Sequence, residues 1–294
     1  MLEKLKANIL FNKLFGRPDI SIAYKKVPPS DSWYNTINTV HQSLAEIITY
    51  PRELVEIKSY DNLSLKGYYY PAQEKSEVTV IWVHGYKSHA ERESAFPSLF
   101  YKSLGFNVLI PYLRAHDVSQ GKYIAFGGAE AFDLERWVDK VNEIHPEGKI
   151  IIHGLSMGGC IAILSSAVKM KNVRCIISDA PSVGVCHILR EITKDTFKKN
   201  GEKVYAYCIE KYEKEFGYNP EEYNVFDKIK ISNYPILLSA GSLENLDELF
   251  EQLTKLNPQP SDSVILPGCD HGNGMYKQTE LYQGKIKEFL SLYL

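Results

Sequence analysis

No stretch of this chain is apolar over the ~18 residues that a membrane span needs, so a membrane-spanning helix is not expected. Cysteine is sparse. The five present (Cys160, Cys175, Cys186, Cys208, Cys269) are scattered, odd in number and without C-x-x-C spacing. That pattern suits free thiols in a reducing compartment and gives no disulfide framework or zinc site. Excess charge of either sign is also missing: the formal net charge is −2 and the pI is near 6.5. No overall electrostatic case exists for nucleic acid or an acidic membrane as partner. Internal repeats and low-complexity tracts are absent. Residues 1–15 lack the continuous apolar core of a signal peptide, because Lys4, Lys6, Asn8, Asn12 and Lys13 interrupt it. Together these absences predict a cytoplasmic protein. In the same segment Leu2, Leu5, Ile9 and Leu14 stand near helical spacing, which predicts an amphipathic helix docked on the domain, with a weak surface anchor or dimer contact as the other use of such a helix.

What is present is a chain of 294 residues, 44% hydrophobic and 24% charged, enough for one large α/β domain or two small ones. Gly16-Arg17-Pro18 and Val27-Pro28-Pro29-Ser30 punctuate its start. Ile37, Val40, Leu44 and Ile47 then recur at helical intervals, with Asp31 or Ser32 as N-cap and Pro51 as the stop. Residues 1 to about 52 therefore read as a helical extension before the main sheet. From Leu54 to Lys58 and from Leu63 to Tyr68 apolar and polar residues alternate around Asp61-Asn62, the pattern of an antiparallel hairpin. Beyond it the strands are continuous apolar runs: Val78 to Val83, Asn107 to Pro111, Ile150 to Ile152, Val173 to Ile177, Ile236 to Leu238 and Val264 to Leu266. Helix-length segments separate them, at about 90–104, 129–145, 157–170, 244–256 and 276–292. Strands alternating with helices imply right-handed crossovers and a mostly parallel twisted sheet flanked by helices, an α/β fold over residues 53–294. One interval is longer than a crossover requires. From about 182 to 233 it holds two polar, helix-compatible stretches, Arg190 to Lys199 and Glu202 to Phe216, interspersed with tyrosines. An insertion there predicts a helical cap over the carboxyl ends of the strands.

The chemistry centres on residues 149–170. The β-branched run Ile150-Ile151-Ile152 leads into Gly154-Leu155-Ser156-Met157-Gly158, which fits G-x-S-x-G between a strand and a helix. A turn this sharp brings backbones together, so the positions two before and two after the serine have no room for side chains. It lifts the Ser156 hydroxyl above the sheet and places the Met157 N–H at a helix start, aimed at a developing oxyanion. Serine needs a base to take its proton and an acid to orient that base. His271, in the turn-rich Gly268-Cys269-Asp270-His271-Gly272-Asn273 after the last strand, sits where no core packing demands an imidazole. It is the expected base, ahead of His84, His145 and His153. For the acid, Glu244 follows the strand that starts at Ile236 and lies 27 residues before His271. Asp179, at the end of the preceding strand, is the alternative, with Asp247 behind it. The second oxyanion donor is expected at the Tyr86 N–H in His84-Gly85-Tyr86-Lys87-Ser88, with His84 bonding that loop through its ring.

The order Ser156, Glu244, His271, the elbow and the His84-Gly85 loop resemble the α/β-hydrolase superfamily, in its serine-hydrolase branch (acyl esterase or peptidase-like) with a small helical cap. Leu113-Arg114-Ala115-His116-Asp117-Val118-Ser119-Gln120-Gly121 resembles that branch's R-x-H-G-x-S-x-G loop, with Asp117 in place of the usual glycine. Glu244 stands where the branch commonly has aspartate. The resemblance implies two-step acyl transfer from a small-molecule acyl ester through an acyl-enzyme, with no metal or organic cofactor. The same residues would serve a thioesterase or a peptidase. A non-catalytic binding protein on this scaffold and a membrane-associated lipase are the readings from other classes.

Overall fold

The computed structural model describes residues 2–19, 28 and 31–294. In chain order its elements are α1 (Leu2–Phe15), α2 (Ile37–Ile47), β1 (Glu53–Lys58), β2 (Ser64–Tyr70), β3 (Val78–Val83), α3 (Ala90–Ser103), β4 (Asn107–Pro111), α4 (Gly128–Ile144), β5 (Lys149–Leu155) and α5 (Met157–Ser165). They continue with β6 (Val173–Asp179), α6 (Val185–Phe197), α7 (Gly201–Phe216), α8 (Val225–Ile229), β7 (Ile236–Gly241), α9 (Asp247–Leu256), β8 (Ser261–Leu266), α10 (Gly274–Lys277) and α11 (Thr279–Ser291). The strands form one eight-stranded sheet in the order β1-β2-β4-β3-β5-β6-β7-β8. The β1–β2 and β2–β4 pairs are antiparallel; every pair from β4 through β8 is parallel. This is the α/β-hydrolase architecture.

The continuous apolar runs are the central strands because helices cover both of their faces. On one face Ile81, Val83, Ile150 and Ile152 pack with Trp137 and Val138 of α4 and with α5. On the other, Val80, Trp82, Ile151 and Cys175 pack with α3 and with Tyr282, Ile286 and Phe289 of α11. Every residue of α5 is buried, which explains its small residues and its apolar composition up to the closing Ser165. Two expected helices are shorter than the sequence pattern: α5 ends at Ser165, where Ser165 and Ser166 turn their hydroxyls onto the carbonyls of Ala162 and Ile163, and the last helix is split between α10 and α11.

The N-terminal residues depart further from expectation. Helix α1 forms, but Leu2, Leu5 and Ile9 face outward, at 57%, 57% and 62% exposed, while Ala7, Leu10, Phe11 and Phe15 are buried. Aromatic bulk decides the face: burying one Phe is worth about 2 kcal/mol, and Phe11 and Phe15 pack edge-on against Tyr123 and Tyr212. The helix thereby joins α6 and α7 in a single apolar cluster, with Val204, Cys208 and Phe216. Neither Asp31 nor Ser32 caps α2. Asp31 Oδ1 accepts from Trp33 N at 2.8 Å, a short 3₁₀ turn follows over Tyr34–Thr36, and α2 begins at Ile37. Of the proline punctuation before it, Val27, Pro29 and Ser30 lie outside the described residues.

Candidate active site

Ser156 occupies the turn between β5 and α5 with φ 59° and ψ −114°. A non-glycine residue held at positive φ is strained, by roughly 1–3 kcal/mol, and the surroundings hold it there. Its N–H donates to the Asp179 carbonyl at 2.8 Å, and its carbonyl accepts from Cys160 N at 3.0 Å. The glycines on either side are sterically required. A Cβ on Gly154 would stand 2.1 Å from the Gly158 carbonyl oxygen, and one on Gly158 would stand 1.9 Å from that of Val83.

Ser156 Oγ lies 2.9 Å from His271 Nε2, and His271 Nδ1 lies 2.5 Å from Glu244 Oε2. The carboxylate can only accept, so Nδ1 carries the proton and Nε2 is left to accept from the serine hydroxyl. Three loops converge to set this line. Gly241 N donates to Glu244 Oε1 at 2.9 Å. Leu243 N donates to the Cys269 carbonyl at 3.0 Å, which ties the loop after β7 to the histidine loop. Within the latter, His271 N donates to Asp270 Oδ1 at 2.8 Å and Asp270 N to Asn273 Oδ1 at 2.9 Å. The bond to Glu244 raises the His271 pKa above its ordinary value against the opposing effect of burial, and the carboxylates of Asp179 and Glu93 raise it further.

The structure thus brings Ser156, His271 and Glu244 together and leaves Asp179 beside them. Asp179 is buried, and burial pushes its pKa up to about 7, with Glu244 adding like-charge repulsion and the Ser239 and Tyr282 hydroxyls opposing it. Asp247 starts helix α9. The competing histidines have structural partners. His145 Nε2 meets the Tyr69 hydroxyl at 2.6 Å and His153 Nδ1 that of Tyr101 at 2.7 Å; burial drops His153 to about 3. His84 Nε2 accepts from Leu113 N and its Nδ1–H donates to the Gly85 carbonyl. Burial holds His84 neutral, with the neighbouring His116 ring acting the same way.

The Tyr86 and Met157 N–H groups have no acceptor among the described residues. Gly85 brings the first of these loops up to the serine: a Cβ there would lie 3.5 Å from Ser156 Cβ and 3.1 Å from Glu93 Oε2. Glu93 was not singled out by the sequence, because a carboxylate in the first turn of a helix reads as dipole compensation. Here it is half-buried, accepts from Gly85 N at 2.9 and 3.1 Å, and takes the Trp82 indole N–H at 3.4 Å. Burial pushes its pKa up to about 7, against the Ser88 hydroxyl and the Gly85 N–H, which favour the charged form. On the outer side of the same loop the Tyr86 hydroxyl donates to the Leu14 carbonyl and Lys87 Nζ to that of Lys13, so the end of α1 holds it.

The resembling loop at 113–121 lies behind this site. Arg114 is buried against Asp133, at 2.7 and 2.8 Å, and Asp61, at 3.0 and 3.1 Å. Asp117 adopts φ 40° in place of the glycine, among neighbours Ala115 and Gly121 that are also at positive φ. Asp tolerates that region better than most residues, which explains how the substitution keeps the turn.

A cavity of about 570 Å³ opens at Ser156, lined by apolar and aromatic residues and by polar ones that include Asp31, Lys87, Arg92, Glu93, Asp179 and His271. No residue of the 182–233 insertion lines it; α6 and α7 instead lie with α1 beside the Tyr123–Ala129 segment. Among the described residues no group of three or more His, Cys, Asp and Glu side chains could hold a metal ion, and no helix is long and apolar enough to cross a membrane.

Residues 74–215 match the family model described as serine aminopeptidase, S33. The match contains Tyr86 and Ser156 and stops before Glu244 and His271. Among curated proteins, the chain is 36% identical to uncharacterized protein YqkD of Bacillus subtilis over 109 residues, and 22% identical to protein bem46 of Schizosaccharomyces pombe over 200. These alignments take in 37% and 66% of this chain but span only 35% and 61% of the two relatives. Among solved structures, esterase Pf2001 of Pyrococcus furiosus superposes with a TM-score of 0.64 at 26% identity, covering 84% of this chain and 93% of that one.

Proposed function

From the premise that this chain belongs to the α/β-hydrolase superfamily, we propose that it is a serine hydrolase that cleaves carboxylic esters of small or medium acyl groups. The observation that carries this reading is the continuous hydrogen-bonded line Ser156–His271–Glu244, at 2.9 and 2.5 Å, on a strained strand-to-helix turn. In this mechanism Ser156 Oγ attacks the acyl carbonyl as His271 Nε2 takes its proton, and Glu244 stabilises the imidazolium through Nδ1–H. The oxyanion draws on the Tyr86 and Met157 N–H groups, which have no acceptor to give up among the described residues. His271 then protonates the departing alcohol, and water repeats the sequence on the acyl-enzyme.

Hydrolysis of p-nitrophenyl esters from acetate to dodecanoate, by wild type and Ser156→Ala side by side, tests the reading. The expected result is activity in the wild type with an optimum at short or medium chain length. In the variant kcat should fall by about 10⁴–10⁶, leaving the residual due to binding and the oxyanion donors. A wild type that neither turns over any ester nor reacts with a fluorophosphonate probe would overturn it and favour a scaffold that only binds. The family-model match favours one second reading, amide hydrolysis by the same residues, and aminoacyl p-nitroanilides in the same assay separate the two.

A further inference from the structure

Trp33 precedes His271 by 238 residues, yet its indole N–H donates to the His271 carbonyl at 3.2 Å. The ring also fills the space over Gly272, where a Cβ would lie 3.4 Å from Trp33 Cζ2. It meets Tyr276 edge-on with centroids 5.4 Å apart, and Tyr276 in turn stacks on Phe96 at 5.0 Å. Trp33, Val40, Pro97, Leu155, Met275 and Tyr276 all line the cavity at Ser156. The wall on the histidine side is therefore supplied in part by the residues before the sheet.

If Ser156 and His271 act as proposed above, the group protonated by His271 Nε2 is the leaving alcohol, so the substituent next to the histidine loop is the alcohol portion of the ester. We propose that Trp33 is the specificity-determining residue for that portion, and that the site takes esters whose alcohol carries a flat aromatic group lying against the Trp33 and Tyr276 rings. Aromatic pairs gain from edge-to-face and offset contacts beyond the area they bury. A short alkyl alcohol gains neither. The inference rests on the serine-hydrolase reading only for the assignment of the side of the bond.

Benzyl and ethyl acetate test it, because their alcohols are of similar acidity and neither releases a chromophore that would itself occupy the wall; a pH-stat follows both. The wild type is expected to prefer benzyl acetate in kcat/KM, and Trp33→Ala to lower the benzyl-to-ethyl ratio by about tenfold. The ratio cancels any loss common to both substrates from a loosened histidine loop. Trp33→Phe keeps a ring and removes the N–H, so both rates should fall together with the ratio within about threefold. Should Trp33→Ala not fold, by circular dichroism and thermal melting, Trp33→Leu gives the same comparison. An unchanged ratio in a folded Ala or Leu variant overturns the proposal. Calorimetric binding of N-benzylacetamide by the Ser156→Ala protein separates the two readings. Binding weakened about tenfold by Trp33→Ala, in a protein whose wild type hydrolyses no ester, would uphold the aromatic wall and sink the hydrolase. Binding indifferent to Trp33 would sink the wall.

Discussion

Both carboxyl oxygens of Glu93 face the backbone N–H of Gly85, at 2.9 and 3.1 Å. A half-buried acid thus holds the residue next to the Tyr86 amide, and the position of that amide depends on it. Glu93→Gln keeps one acceptor and loses the other, so kcat is expected to fall by less than the ~100-fold that follows loss of an oxyanion donor outright, with KM little changed. The stability effect runs the other way with pH. The folded-state pKa of Glu93 is raised from 4.5 to about 7, so its contribution is fully present below pH 4.5 and is lost as pH rises through 7. Over that window the wild type should lose on the order of 3 kcal/mol relative to Glu93→Gln. Urea melts of the two proteins at pH 4.5 and 8 measure the difference.

His271 has its pKa raised above 6.5, first by the bond to Glu244. A base must be unprotonated, so kcat/KM should rise with pH through a midpoint above 6.5. Glu244→Gln removes the largest cause, which should lower both the midpoint and kcat. Asp179→Asn removes a smaller one and leaves the Nδ1 bond in place. Its profile should keep a midpoint near that of the wild type and most of the activity. If Asp179→Asn is the inactive variant of the two, the acid belongs to the end of β6.

Gly158 is where the elbow touches the neighbouring strand, with the Val83 carbonyl oxygen 1.9 Å from where a Cβ would be. Because backbone and not a flexible side chain is in the way, Gly158→Ala should cost about 3 kcal/mol or more. It should also displace Ser156 from His271. Thermal melting and fluorophosphonate labelling report these two effects separately.

The buried pair Arg114–Asp133, extended by Asp61, fastens the 113–121 loop to α4 and to the β1–β2 turn. Its charges hold one another: the two carboxylates raise the Arg114 pKa, while burial pushes Asp133 up to about 6 despite the guanidinium. Removing one partner leaves a buried charge, so Arg114→Ala should destabilise by about 3–5 kcal/mol. Replacing the pair together, Arg114→Met with Asp133→Leu, should recover much of that loss in the same denaturation assay.

The sequence by itself determined the sheet, the elbow and the strand ends that carry the candidate site residues. Ile150–Ile152 could only be a strand covered on both faces, and Gly154 and Gly158 could only flank a turn in which backbones touch. Ser156, Glu244 and His271 were legible because each follows a strand, and in a parallel sheet the strand ends share one edge. Local pattern carries that information. The choice of Glu244 over Asp179 beside His271 Nδ1 was not local: it required the loop after β7 to dock on Cys269. Nor was the docking face of α1, since Leu2, Leu5 and Ile9 repeat at helical spacing as well as Phe11 and Phe15 do, and only Tyr123 and Tyr212 distinguish them. The cavity wall was further still from view. Nothing around Trp33 marks it as a neighbour of His271, because that contact is made across 238 residues by packing alone. The candidate site was written in the local neighbours of each of its residues, and the shape of the cavity beside it came from which distant surfaces fit together.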